Sequence, residues 1–79
     1  MSILFGVKRN PKRLMAALGA AIREARMEAG LTQGALGVAC GNVRQDTVWK
    51  WESGRMTPTL DHLRKICAAT GKSLDELVP

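Results

Sequence analysis

Apolar residues recur at every third or fourth position along most of the chain, which is the spacing of one face of an α-helix. The first such stretch covers residues 13–29 and stops at Gly30, a residue suited to the left-handed conformation that ends many helices. Its apolar face consists of Leu14, Leu18, Ala21, Ile22, Ala25 and Ala29. Because no strand-like alternation follows residue 12, the pattern predicts a compact all-α fold.

Three later helices carry their own start signals. Thr32 offers an N-cap hydroxyl to a helix over Gln33–Cys40, and Thr59 offers one to a fourth helix that Gly71 ends. The segment Ser73–Glu76 has the sequence of a capping box and opens a short fifth helix. The positions expected to be buried in the second and fourth helices are Leu36, Cys40, Leu60, Leu63, Ile66 and Cys67. The apolar residues of the fifth are Leu74, Leu77 and Val78.

A third helix is predicted over about residues 44–53, after a break at Gly41-Asn42. Val48 and Trp51 lie three positions apart, so both can face the core. The side chains that remain on the outward face are Arg44, Gln45, Asp46, Trp49 and Lys50. The complete pattern is therefore that of five helices joined by short loops.

The chain carries 12 Lys and Arg against 7 Asp and Glu, for a net charge of +5 and a pI near 9.9. Such an excess of positive charge in 79 residues favours a polyanionic partner, most commonly nucleic acid. Part of the charge lies in residues 1–12, where Gly, Asn and Pro interrupt the pattern. This segment is predicted to be a short basic N-terminal arm, and residues 13–79 a single domain.

Several classes of function are disfavoured. Cys40, Cys67 and the one histidine, His62, fit no zinc-binding spacing, so we expect reduced core cysteines and neither a metal nor another cofactor. No apolar run approaches the roughly 20 residues of a membrane span. The apolar patch at residues 3–5 is too short for a signal peptide, which predicts a cytoplasmic protein with no membrane partner. Without a nucleophile to partner His62 and without glycine-rich phosphate motifs, the chain is not expected to be an enzyme.

Several short segments follow one another in an order that is typical of a single family. They are IREAR at residues 22–26, AGLTQ at 29–33, AL at 35–36, TVWKWESG at 47–54, PTL at 58–60, LRKI at 63–66 and GKSLDEL at 71–77. Together they resemble the lambda-repressor-like, or Xre-type, helix-turn-helix regulators over about residues 18–78. The resemblance implies a DNA-binding domain whose third helix reads base edges in the major groove while the second lies across the DNA backbone.

The resemblance also implies roles for residues around the third helix. Thr32 and Gln33 begin the second helix, where free N–H groups can bind a phosphate, and Gln33 is expected to brace the recognition helix as well. Arg55, in the following loop, is expected to grip backbone phosphates. Arg26 and Glu52 match a pair that, in relatives, forms a salt bridge between the first helix and the end of the recognition helix.

The outward side chains of the third helix suit contacts to bases. Gln45 has the geometry for bidentate bonding to adenine, and Arg44 and Lys50 can reach guanine or a phosphate. Asp46 has two equal interpretations, acceptance from cytosine N4 or capping of the helix. Trp49 can contact a thymine methyl group or a sugar, or it can pack on a neighbouring helix.

The turn before the recognition helix is one residue longer than is usual in the family. Asn42 and Gln45 can therefore form their own capping box, or Asp46 can be the cap. A shift of one residue would rotate the outward face by about 100°. The sequence therefore leaves the register of this helix open.

The function expected from the resemblance is that of a repressor or autoregulator on a short inverted-repeat operator, since a two-fold operator matches a two-fold protein. One domain of this size makes few base contacts, which favours a homodimer. The alternative is an antitoxin of the Xre type, which binds a toxin as well as DNA. Residues 1–7 are the candidate toxin-binding segment.

Overall fold

The computed structural model describes residues 11–79, which form five α-helices and no strand. The helices are α1 (Pro11–Glu28), α2 (Gln33–Ala39), α3 (Gln45–Glu52), α4 (Leu60–Thr70) and α5 (Leu74–Leu77). The prediction of an all-α fold with five helices is confirmed for this part of the chain. The predicted basic arm falls mostly on residues 1–10, which lie outside the described residues.

The helix ends are set by the side chains that the sequence indicates. Thr32 Oγ1 accepts a hydrogen bond from Ala35 N at 3.0 Å, and Thr59 Oγ1 accepts one from His62 N at 3.1 Å. The capping box at Ser73 and Glu76 is complete, with both reciprocal hydrogen bonds formed. Each bond satisfies a backbone N–H that the first turn of a helix leaves without a partner.

The first helix begins earlier than the apolar pattern predicts. It starts at Pro11 rather than Arg13, so Pro11 and Lys12 belong to α1 and not to the arm. Proline is favoured in the first turn of a helix because its missing N–H would have no intrahelical acceptor there. Gly30, with φ 74°, ends the helix in the predicted left-handed conformation.

The core lies between the five helices, each of which contributes a buried side chain, and Trp51 is its largest fully buried side chain. The Trp51 ring lies 5.2 Å from the His62 ring of α4. The buried apolar residues are Leu18, Ile22, Ala25, Leu36, Cys40, Val48, Trp51, Ile66 and Leu77. Burial raises the pKa of the Cys40 thiol, which fits its predicted role as a neutral core residue.

Some apolar positions are not covered as the pattern suggests. Leu60 was expected inside, but it is 55% exposed, and Leu14 and Ala29 on the apolar face of α1 are also exposed. Leu74 and Val78 are exposed as well. All five lie in the first turn of a helix or just beyond its last residue, so these exposed apolar positions are confined to helix ends.

A close contact between α1 and α3 depends on a glycine. A Cβ atom at Gly19 would lie 2.5 Å from the carbonyl oxygen of Trp51 and 2.6 Å from that of Glu52. Only a residue without a side chain therefore lets the α1 backbone reach the last turn of α3.

None of the helices in residues 11–79 has the length and apolar character needed to cross a membrane.

Candidate nucleic-acid interface

The turn between α2 and α3 begins with two residues in the left-handed conformation. Gly41 and Asn42 have φ values of 96° and 64°, and both are exposed. The chain returns to α2 at Val43, whose N–H donates to Gly37 O at 2.8 Å. Gly37 has no Cβ to collide with the Val43 carbonyl. The turn is thus bonded back to α2 at Val43, while the two residues before it remain exposed.

The start of α3 differs from both predicted alternatives. The N-cap is Arg44, with an extended backbone and no side-chain hydrogen bond to the helix. The proposed capping box of Asn42 and Gln45 is wrong because Asn42 is left-handed and lies two residues before the cap. Asp46 is not the cap either; it is the second helical residue, where its negative charge suits the positive end of the helix dipole.

Burial defines the register of α3. Val48 is 0% exposed and Trp51 is 1% exposed, as predicted. The outward positions Gln45 and Trp49 are four residues apart and share one face of the helix, with Asp46 beside them. Lys50 is half-buried at the edge of this face, so it is less outward than the sequence suggested.

The exposed face of α3 and the start of α2 enclose one open concavity of about 630 Å³. Its lining residues are Gln33, Arg44, Gln45, Asp46 and Trp49. Five of the eight predicted site residues are therefore brought together here. Thr32 is the exposed N-cap just before Gln33, and Arg55 reaches the same surface through Trp49.

A network of charged and polar groups fixes the C-terminal end of α3. Arg26 Nε and Nη2 donate to the two carboxylate oxygens of Glu52 at 2.6 and 3.2 Å, and the two side chains are only 12% and 4% exposed. Gln33 Nε2 donates to Glu52 Oε1 at 3.1 Å, and Arg26 Nη1 donates to Leu31 O at 2.8 Å. The predicted salt bridge is thus present, and the same carboxylate holds the start of α2 against α3.

Trp49 and Arg55 form a stacked pair on this surface. The Arg55 guanidinium carbon lies 5.1 Å from the centroid of the Trp49 ring, within the range of a cation–π interaction. Trp49 remains 45% exposed, so it is not a core residue. The stacking places the cation of the loop next to the outward face of α3.

Arg44 and Asp46 form a second pair, at the other end of the same helix. Arg44 Nε lies 3.2 Å from Asp46 Oδ1. Both side chains remain open to solvent, with 83% of Arg44 and 54% of Asp46 exposed. The two residues thus present one cation and one anion together at the mouth of the concavity.

Arg23 is a member of this surface that the sequence pattern did not indicate. This exposed residue of α1 lines a second concavity of about 240 Å³. The other lining residues are Arg26, Gln33, Trp49, Glu52 and Ser53. Its signal in the sequence is its place three residues before Arg26, which puts it on the same side of α1 as the salt bridge to α3.

Two short helices joined by a tight turn, the second exposing polar side chains beside basic residues, define a helix-turn-helix DNA-binding domain. A helix-turn-helix family model matches residues 22–77. The chain belongs to the lambda-repressor-like, Xre-type family of helix-turn-helix transcription regulators. It is accordingly a DNA-binding transcription regulator, a class that is typically not enzymatic.

Two solved structures illustrate the similarity. The clp gene regulator ClgR from Corynebacterium glutamicum is 33% identical, with a TM-score of 0.75 over 81% of this chain and 67% of that one. The hypothetical transcription factor NHTF from Neisseria is 27% identical, with a TM-score of 0.76 over 89% of this chain and 79% of that one. Comparison with curated protein sequences gives no match.

Proposed function

We propose that the protein is a sequence-specific repressor or autoregulator that binds an inverted-repeat operator as a homodimer, with α3 in the major groove. The observation that carries this proposal is the concavity of about 630 Å³ formed by the exposed residues of α3 and by Gln33 of α2. A major groove about 12 Å wide admits an α-helix, and its base edges differ for every base pair. An exposed helix rich in polar side chains is the element such a groove accepts.

The side chains divide into two groups by the ligand they suit. Arg44, Gln45, Asp46 and Trp49 lie on the face that would meet base edges, and Lys50 at its border suits a base or a phosphate. Thr32, Gln33 and Arg55 suit the DNA backbone on either side of the groove. The Gln33 amide uses one N–H on Glu52, and its second N–H is available to a phosphate oxygen.

The size of the recognition element supports a dimer. The eight residues of α3 span about 12 Å along the helix axis, enough to face roughly four base pairs. Such a short segment of sequence gives little discrimination against the rest of a genome. Two copies related by a two-fold axis would read two half-sites about one DNA turn apart.

Selection from a random-sequence duplex library tests the proposal. We expect enrichment of an inverted repeat whose half-sites are centred about 10 base pairs apart. Mobility-shift titrations of the enriched duplex should weaken steeply between about 50 and 200 mM salt, because phosphate contacts release counterions. A library in which no sequence is enriched, or an affinity that does not change with salt concentration, would count against operator recognition.

Arg55→Ala tests the phosphate group of contacts. We expect weaker binding to all duplexes by a similar factor, and a salt dependence that falls by about one phosphate contact. Arg64→Ala is the matched control, since Arg64 is an exposed arginine of α4 that borders neither concavity around α3. If both variants reduce the salt dependence equally, net charge and not the position of Arg55 is responsible.

The antitoxin alternative remains a prediction. Its candidate toxin-binding segment, residues 1–7, lies outside the described residues. No feature of residues 11–79 favours a toxin over DNA as the partner of the surface around α3. The selection experiment tests operator binding for both functions alike, because an antitoxin that represses its own operon would also enrich an operator.

A further inference from the structure

The ion pair at the start of α3 has no evident part in holding the fold together. Arg44 is the N-cap but makes no side-chain hydrogen bond to the helix, and its partner Asp46 is more than half exposed. Exposed ion pairs of this kind add little to the free energy of unfolding. The pair also lies on the wall of the concavity that faces the proposed DNA site. A role in recognition is therefore a better explanation than a role in stability.

The geometry of the ion pair limits which N–H groups of the Arg44 guanidinium can still bind a base. Asp46 Oδ1 lies 3.2 Å from Nε of the guanidinium, so the carboxylate lies on the Nε side of the group. Nη1 and Nη2 each still have an N–H on the end-on edge of the planar group, away from the carboxylate. A fork of this geometry can donate end-on to O6 and N7 of one guanine, which is the commonest specific contact of arginine in the major groove.

We propose that Asp46 is a positioning residue that holds Arg44 for bidentate recognition of a guanine in each half-site. This inference rests on the proposed function and deepens it by naming the base. A long, exposed arginine loses rotamer freedom when it binds, and a partner at Nε restricts that freedom in advance. In this arrangement Oδ1 of Asp46 is engaged with Arg44 and not with a base.

The position of Asp46 also predicts effects of opposite sign on two kinds of DNA. A carboxylate near the groove is repelled by phosphates whatever the sequence, so its removal should leave binding to random duplex unchanged or slightly stronger. Its removal should weaken binding to the guanine-containing operator, because Arg44 is no longer held. A residue with only a structural role would change both affinities in the same direction.

The first measurement compares base preferences of the wild type, Arg44→Ala and Asp46→Ala. We expect the wild type to favour guanine at one position of the half-site by about 5- to 150-fold over other bases. Arg44→Ala should abolish this preference, and Asp46→Ala should reduce it by about 3- to 10-fold at the same position. Thermal melting of each variant confirms that the domain remains folded.

Asp75→Ala is the matched control for charge. Asp75 is likewise the second residue of a helix, here α5, and it is exposed. Its removal changes the net charge by the same amount but leaves the surface around α3 intact. We expect Asp75→Ala to keep the full preference for guanine, while Asp46→Asn should lose it much as Asp46→Ala does.

The double variant decides whether Asp46 acts through Arg44. If it does, Arg44→Ala with Asp46→Ala should show the same base preferences as Arg44→Ala alone. The inference is overturned if Asp46→Ala still alters base preference when Arg44 is absent, or if its effect maps to a different base pair. It is equally overturned if an operator is enriched but shows no guanine that depends on Arg44. Failure to enrich any operator would instead refute the proposed function.

Discussion

The C-terminal end of α3 is held by side chains from α1 and α2, whereas the side chains at its start face solvent. At the C-terminal end, Glu52 is 4% exposed and bonded to Arg26 and Gln33, and Gly19 of α1 lies against the backbone. At the N-terminal end, Arg44 is 83% exposed. The two ends are eight residues apart in sequence and differ almost completely in environment.

This difference shows how a small domain can orient a binding helix without covering it. Groups that must bond to DNA cannot also be buried or fully paired within the protein. The orientation of the helix therefore has to come from contacts at the other end and on the inner face. Rigid support beside an open reactive surface is the arrangement that precise recognition requires.

The two tryptophans of α3 provide the largest expected contrast. Trp51→Ala should lower the free energy of unfolding by about 3–5 kcal/mol, because a large buried side chain is lost and a cavity remains. Trp49→Ala removes the same kind of side chain from an exposed site and should change the free energy of unfolding by less than about 1 kcal/mol. Urea denaturation measures both values, and similar losses would mean that α3 is turned differently.

Fluorescence quenching checks the same contrast without a change in the core. Trp49→Phe leaves Trp51 as the one tryptophan of the chain. Because Trp51 is 1% exposed, its emission should respond weakly to iodide in the folded protein. Strong quenching before denaturation would contradict the buried position.

Two carboxylates with different surroundings give the next contrast. Glu52→Ala should lower the free energy of unfolding by about 3 kcal/mol, since it leaves the largely buried Arg26 guanidinium without its partner. Glu28→Ala breaks a more exposed ion pair with Lys72, 2.9 Å long, and should cost no more than about 1 kcal/mol. Thermal melting of the two variants side by side measures both losses of stability. Equal losses would refute the anchoring role of Glu52.

A pair of helical glycines tests the close approach of α1 to α3. Gly19→Ala should lower the free energy of unfolding by about 1–3 kcal/mol, because its methyl group collides with backbone atoms that cannot move aside easily. At Gly34 of α2 a Cβ meets only Thr32 Oγ1, at 3.9 Å. Gly34→Ala should therefore be neutral or stabilising by up to about 1 kcal/mol. An equal fall in melting temperature in both variants would contradict a close contact that is specific to Gly19.

The smallest expected effect on folding lies at the exposed end of α3. Gln45→Ala should leave thermal melting nearly unchanged, as is usual for an exposed side chain without buried contacts. Its binding to the selected operator should weaken by about 1–3 kcal/mol, while binding to random duplex stays nearly constant. Equal weakening on both kinds of DNA would assign Gln45 to the backbone and not to a base.

The features that sequence predicted well are those with local signals. Thr32, Thr59 and the capping box at Ser73 have acceptor side chains at fixed distances from the N–H groups they satisfy. The inward pair Val48 and Trp51 follows from helical spacing alone. The salt bridge between Arg26 and Glu52 joins residues 26 positions apart, and it was expected only because the segments resemble a known family.

The remaining features depend on geometry that the sequence does not display. The start of α3 has no acceptor side chain at its cap, so no capping residue marks Arg44. Helical spacing defines an apolar face, but it does not show that Leu60 projects beyond the elements that cover the core. The stacking of Arg55 on Trp49 requires the path of the loop between them, which neither residue indicates by itself.

The left-handed loop at Gly41 and Asn42 has a consequence for how such proteins can diverge. Because Val43 is bonded back to Gly37, an insertion in the exposed segment at residues 41 and 42 is expected to alter the contour of the loop more than the position of α3. An added residue at this point is therefore expected to disturb DNA binding little, so that relatives could differ in the length of this turn and still bind the same operator.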